Sequence, residues 1–224
     1  MVLHNLWAFI EKELFPKESR PDLFNQYRSL DENLDLSDAA SVRQRNLRNY
    51  FESFSEKPSI LLVGEAAGPW GCRFSGVPFT GEKQLFEKSV PFPGKQSSRD
   101  DPKYPTKKLP PFISTSAKIF WDVLKPYHPK FFVWDCVPFH PHVEGTALSI
   151  RTPKKEEIKE FSILLDKIIE VVKPVEILAI GRTAQNALSL LSKDSIYVRH
   201  PANGGGKKFR EGMERFFKSG TSAE

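Results

Sequence analysis

The chain has 224 residues, 39% of them hydrophobic, enough for one domain with a sizeable core. Lysine and arginine number 33 against 28 aspartates and glutamates, a formal net charge of +5; this mild excess is compatible with a nucleic-acid partner without demanding one. The two cysteines, Cys72 and Cys136, lie far apart and outside any CxxC spacing, too few and too scattered for a disulfide framework, a zinc site or a four-cysteine iron–sulfur cluster.

The N-terminal stretch MVLHNLWAFIEKELF carries acidic residues inside its apolar pattern and does not read as a signal peptide. Together with two thiols expected to be free, this points to a reducing compartment, the cytoplasm or a eukaryotic nucleus. No run of ~18 apolar residues offers a membrane span. Residues 1–56 read as a helical segment. Leu6, Phe9, Ile10 and Leu14 recur at helical spacing, and a second pattern runs from Ser37 to Phe54, capped by Ser37 or Asp38, with Val42, Leu47 and Phe51 inward. Arg43, Arg45, Arg48 and Lys57 read as its solvated face.

Four short apolar runs follow. Ser59–Gly64 (SILLVG), Phe131–Cys136 (FFVWDC), Glu176–Ile180 (EILAI) and Ser195–Arg199 (SIYVR) have the continuous character of strands buried on both faces. Helical patterns separate them: Ser114–Leu124, Lys154–Val172 between Pro153 and Pro174, and Arg182–Leu191. A last one, Phe209–Phe217, closes the chain. Residues 89–111, rich in proline and charge, read as an inserted surface loop, and residues 219–224 as a disordered tail. The alternation predicts one domain over residues 1–224: a three-layer α/β/α sandwich with a four-stranded, mainly parallel central sheet.

In such a sheet ligands bind at the carboxyl ends of the strands. Glu65 and Asp135 end the first and second runs, and His200 follows the fourth, so three chemically able side chains distant in sequence are expected on one rim. The glycines after Val63 have neither the lysine of a phosphate loop nor the spacing of a dinucleotide fingerprint, and no GxSxG elbow is present. His140 and His142 lack further ligands for a metal site. No cofactor is implied.

The segment GEAAGPWGCRFSGVPFTG (Gly64–Gly81) resembles the first motif of the uracil-DNA glycosylase superfamily, above all its GEAPG-motif branch, although the cluster cysteines of that branch are absent here. His200-Pro201-Ala202 resembles the family's second motif. The resemblance implies a monofunctional DNA N-glycosylase of base excision repair. It would act as a monomer on single-stranded or mismatched DNA carrying uracil or a related damaged base. Glu65 would position or activate water, and His200 would bond the pyrimidine O2. Phe79 would stack on the flipped base, with Gly64, Ala66 and Asp135 around it. Gly68, Arg73, Arg199, Pro201, Ala202, Asn203, Gly204, Lys207 and Lys208 would meet the DNA. A non-catalytic nucleic-acid-binding relative and an enzyme acting on free nucleosides are the alternatives.

Three departures stand out. Ala67 replaces a proline, Ala202 replaces a serine, and Asp135 stands where relatives hold a base-reading asparagine. An asparagine donates and accepts together, whereas an ionised aspartate only accepts. Asp135 would therefore repel uracil O4 unless protonated. It would suit a two-donor edge when ionised, and uracil or cytosine when neutral. The expectation is a preference shifted away from ordinary uracil.

Overall fold

The computed structural model describes residues 1–100, 106 and 108–219. Of the expected tail at 219–224, Ser219 is the last residue of the C-terminal helix, while 220–224 and most of the lysine- and proline-rich stretch at 101–107 lie outside the described residues. In chain order the elements are α1 (His4–Glu13), β1 (Leu23–Phe24), α2 (Ala39–Glu52), β2 (Ile60–Ala66), α3 (Cys72–Ser75), α4 (Glu82–Phe86) and α5 (Thr115–Leu124). They continue with β3 (Phe131–Val137), β4 (His140–Pro141), α6 (Lys155–Val172), β5 (Glu176–Ile180), α7 (Arg182–Leu190), β6 (Ile196–Val198) and α8 (Gly206–Ser219).

The four apolar runs form one parallel sheet in the order β3-β2-β5-β6, flanked by helices, as the alternation predicts. Every residue of β3 is buried, which explains why FFVWDCV is apolar throughout except at Asp135. Helices α6 and α7 pack on each other and on the sheet, and α8 lies against β6 and α5. Ser114 caps α5, its hydroxyl accepting the Ala117 N–H at 3.2 Å. The parallel order brings the ends of β2, β3, β5 and β6 to one rim.

The structure corrects the sequence reading at four places. The first fifty residues are less helical than expected: between α1 and α2 the chain adds β1, antiparallel to β4, with Leu23 opposite Pro141 and Phe24 opposite His140. Asp38 precedes α2 but makes no capping bond. Arg43 is fully buried, not solvated, because its guanidinium meets the equally buried Asp35 and also donates to the Gln26 carbonyl at 3.2 Å. Arg45 and Arg48 do face solvent.

The stretch 89–111 is not a loop free of the body either. Val90, Phe92, Ser97 and Ser98 are buried. The buried carboxylate of Glu82 accepts the N–H groups of Ser97 at 2.7 Å and Ser98 at 2.9 Å, and that of Phe112 at 3.2 Å. A single acidic side chain thus satisfies backbone donors from within the insertion and from the residue just after it.

Candidate active site

The site is built where β2 and β3 end side by side. Gly64 is the register partner of Asp135. A β-carbon on Gly64 would lie 2.2 Å from Asp135 Oδ1 and 2.4 Å from Phe79 Cε2. Only a residue without a side chain lets carboxyl and ring approach this closely. The ring of Phe79 is backed by Phe120, 4.7 Å between centroids and inclined by 24°, and faces the imidazole of His200 at 5.6 Å. Phe79 itself has a left-handed backbone (φ 49°), an uncommon conformation for a bulky residue. Its neighbours hold it: Ser75 Oγ donates to the Thr80 carbonyl at 2.6 Å and accepts the Val77 N–H at 3.0 Å, while Trp121 Nε1 donates to Thr80 Oγ1 at 3.1 Å.

Asp135 is 3% exposed, and neither of its carboxyl oxygens has a hydrogen-bond partner among the described residues. Burial, and then the charge of Glu65, push its carboxyl up to about 7. Glu65 and Ala66, next along β2, are half-buried at the rim. The thiol of Cys136 donates to the Glu65 carbonyl at 2.9 Å, tying the two strand ends together.

His200 follows β6. Its Nδ1 lies 3.0 Å from the Ala202 N–H. A backbone N–H can only donate, so Nδ1 accepts and Nε2 carries the hydrogen of the neutral ring. Burial and the neighbouring Arg199 hold the imidazole down to about 4, so it is neutral at physiological pH. Gly205 makes this turn possible: a β-carbon there would lie 2.0 Å from the His200 carbonyl oxygen. Pro201 is buried, Asn203 (φ 51°) and Gly204 (φ 74°) are exposed, and α8 begins at Gly206 with Lys207 and Lys208 facing solvent. Arg199 is half-buried and its Nη1 donates to the His200 carbonyl at 3.2 Å. Gly68 has open space where a β-carbon would be.

Of the residues expected at the site, Gly64, Glu65, Ala66, Phe79, Asp135 and His200 come together on this rim. The turn from Arg199 to Lys208 adjoins them, with Gly68 on the loop after β2. Arg73 does not join them and is not a phosphate contact. It is 1% exposed, donates to Asp35 at 2.7 Å, and is sandwiched between the rings of Phe24 and Phe74 at 4.3 and 4.2 Å. A guanidinium with a buried carboxylate and two aromatic faces has no reason to reach solvent.

The sequence reading missed the floor beneath Asp135. Gln26 Nε2 donates to the Pro138 carbonyl at 2.7 Å, and Tyr27 Oη donates to the Gly76 carbonyl at 2.8 Å, both side chains fully enclosed. Cys72 adjoins both. His140, expected only as half of a doubtful metal pair, stacks on His142 at 5.6 Å, with Nδ1 2.8 Å from the Ala67 carbonyl and Nε2 3.1 Å from that of Ala147. Among the described residues no cluster of three or more His, Cys, Asp or Glu could hold a metal ion.

No curated protein sequence matches this chain. A solved structure that does is the crystal structure of wild-type Pedobacter heparinus SMUG2, with a TM-score of 0.63 and 11% identity, covering 99% of this chain and 97% of the other. That likeness shows a shared fold. The profile of the uracil DNA glycosylase superfamily matches residues 51–218, which hold every rim residue described above, and the chain belongs to that superfamily.

Proposed function

We infer that the protein is a monofunctional DNA glycosylase: it extrudes a deaminated or damaged base, uracil or a relative, and hydrolyses its N-glycosidic bond with water, leaving an abasic site. The observation that carries this reading is the convergence of Glu65, Phe79, Asp135 and His200 on one rim from four separate stretches of sequence. A base inside a duplex is out of reach of such a pocket and has to be flipped or already single-stranded. Bond breaking leaves positive charge on the sugar and negative charge on the departing base. The carboxylate of Glu65 suits the first and would orient the water. The neutral Nε2–H of His200 suits the second, donating to the pyrimidine O2 as charge builds there. The face of Phe79, stiffened by Phe120 behind it, would add about 1–3 kcal/mol of stacking.

The glycine-rich turn after His200 leads into the N-terminus of α8, where free amides and the helix dipole favour a phosphate. Arg199, Lys207 and Lys208 stand beside it, as single-stranded or mismatched DNA would require. The test is an end-labelled oligonucleotide carrying one uracil, incubated with the protein and then treated with alkali. Cleavage at the uracil by the wild type, with loss in Glu65→Gln and in His200→Ala, is expected. Binding without an alkali-labile site in any strand context would leave a nucleic-acid-binding protein and no enzyme.

A further inference from the structure

Asp135 is a buried carboxyl group at the site that makes no hydrogen bond to the protein among the described residues. A carboxyl group that is 3% exposed ordinarily spends both oxygens on protein donors, yet neither has one among the described residues. It stands against the ring of Phe79 and over Gly64, beside the face on which a flipped base would stack in the glycosylase reading. The groups facing it offer no compensating cation. From β2 comes the carboxyl of Glu65, which couples to it unfavourably. From beneath come the hydroxyl of Tyr27 and the thiol of Cys72, both pushed upward by burial and therefore neutral, with Arg43 acting on Cys72. On its own strand Cys136 is likewise pushed upward, and across Phe79 the imidazole of His200 is neutral.

We propose that Asp135 reads the pairing edge of the extruded base as a neutral carboxylic acid, so that recognition of uracil depends on one proton held at this side chain. The inference rests on the glycosylase reading above. In the acid form the hydroxyl donates to uracil O4 while the carbonyl oxygen accepts the N3–H, the same pair of bonds that an amide would make. In the ionised form both oxygens only accept, and O4 meets a negative charge in an enclosed site. An amide at this position needs no proton; the aspartate makes the pocket sensitive to pH near neutrality.

The experiment compares the wild type with Asp135→Asn, an isosteric change. One readout is kcat/KM on a single-stranded uracil oligonucleotide from pH 5.5 to 8.5. The other is the affinity at pH 6 and pH 8 for the same oligonucleotide with an uncleavable 2′-fluorinated uridine. For a single proton with a midpoint near 7, the wild type loses about tenfold between pH 6 and pH 8 in both readouts, and Asp135→Asn stays level. The His200 ring titrates below this window and leaves it clear. Carbon-13 NMR of aspartate-labelled wild type reads the same proton without any variant, as one carboxyl titrating near neutrality. If neither protein cuts at any pH but the wild type alone binds more weakly at pH 8, the base reader stands and the glycosylase reading falls. Parallel pH profiles for the two proteins, or no carboxyl titrating above the ordinary carboxylate range, overturn the proposal.

Discussion

Asp135 Oδ1 lies 2.2 Å from the point where Gly64 would carry a β-carbon, across two strands in direct parallel register. The carboxyl fills the space that glycine leaves. Gly64→Ala would push both this carboxyl and the Phe79 ring aside, and a displacement of about 1 Å at a reacting centre costs roughly 100-fold. The expected result is a fall in kcat/KM of that order with the protein still folded, seen by comparing excision rates with circular dichroism spectra.

The same carboxyl sets an opposition in the pH dependence of stability. Its folded value, about 7, lies above its unfolded one, so it contributes most stability at low pH and loses it as pH rises through 7. His140, fully buried, behaves in the reverse sense. Burial holds its imidazole down to about 3, so stability falls as pH drops below the ordinary histidine value. His200, held down to about 4 by burial and Arg199, acts in the same sense as His140. Between pH 7 and pH 5 each of the three effects amounts to about 2 kcal/mol, so the two histidines together outweigh the carboxyl by about 2 kcal/mol. Thermal melts of the wild type should therefore fall modestly from pH 7 to pH 5. Asp135→Asn should melt higher than the wild type at pH 8 and lose that advantage by pH 5.

The buried triad of Asp35, Arg43 and Arg73 makes a different demand. Asp35 is enclosed, and burial, the largest influence on its carboxyl, is outweighed by the two guanidiniums and their hydrogen bonds, which hold it below the usual value. Asp35→Asn leaves two buried cations with only the more distant carboxylates of Asp31 and Glu82, a loss of about 3–5 kcal/mol. Urea denaturation measures this. A midpoint unchanged from the wild type would mean that the arginines find other partners.

Lys207 and Lys208 belong to the opposite case, fully solvated at the start of α8. Substituting each with glutamine should leave the melting temperature within experimental scatter. It should lower the slope of log affinity against log salt by about 1 per lysine, for any DNA sequence. A salt slope in the double variant as steep as the wild type's, with affinity unchanged, would place the DNA elsewhere.

The strands were legible because SILLVG, FFVW and EILAI are nearly continuous apolar runs, as a strand covered on both faces requires. Glu65, Asp135 and His200 were legible for a related reason: polar residues at or just after the ends of such runs fall on the sheet's rim. The arginines were not. Arg43 and Arg73 carry the same side chain as Arg45 and Arg48, and what buries them is Asp35, whose approach depends on the chain folding back between α1 and α2. Gln26 and Tyr27 sit in a stretch without periodicity, beside a two-residue strand too short to leave a pattern. Nothing in their spacing points to Pro138 and Gly76, the partners that fix them.

The ribbon of β1 and β4 has a bearing on how relatives of this protein should be compared. The superfamily match begins at residue 51, yet Asp35, Gln26 and Tyr27, which brace the ground under Asp135 and Arg73, all precede it. A fragment trimmed to the matched stretch would keep all four rim side chains and lose their foundation. Two members of the superfamily can therefore agree at every catalytic position and still support that chemistry from unrelated masonry. An alignment confined to the shared part would be blind to the difference.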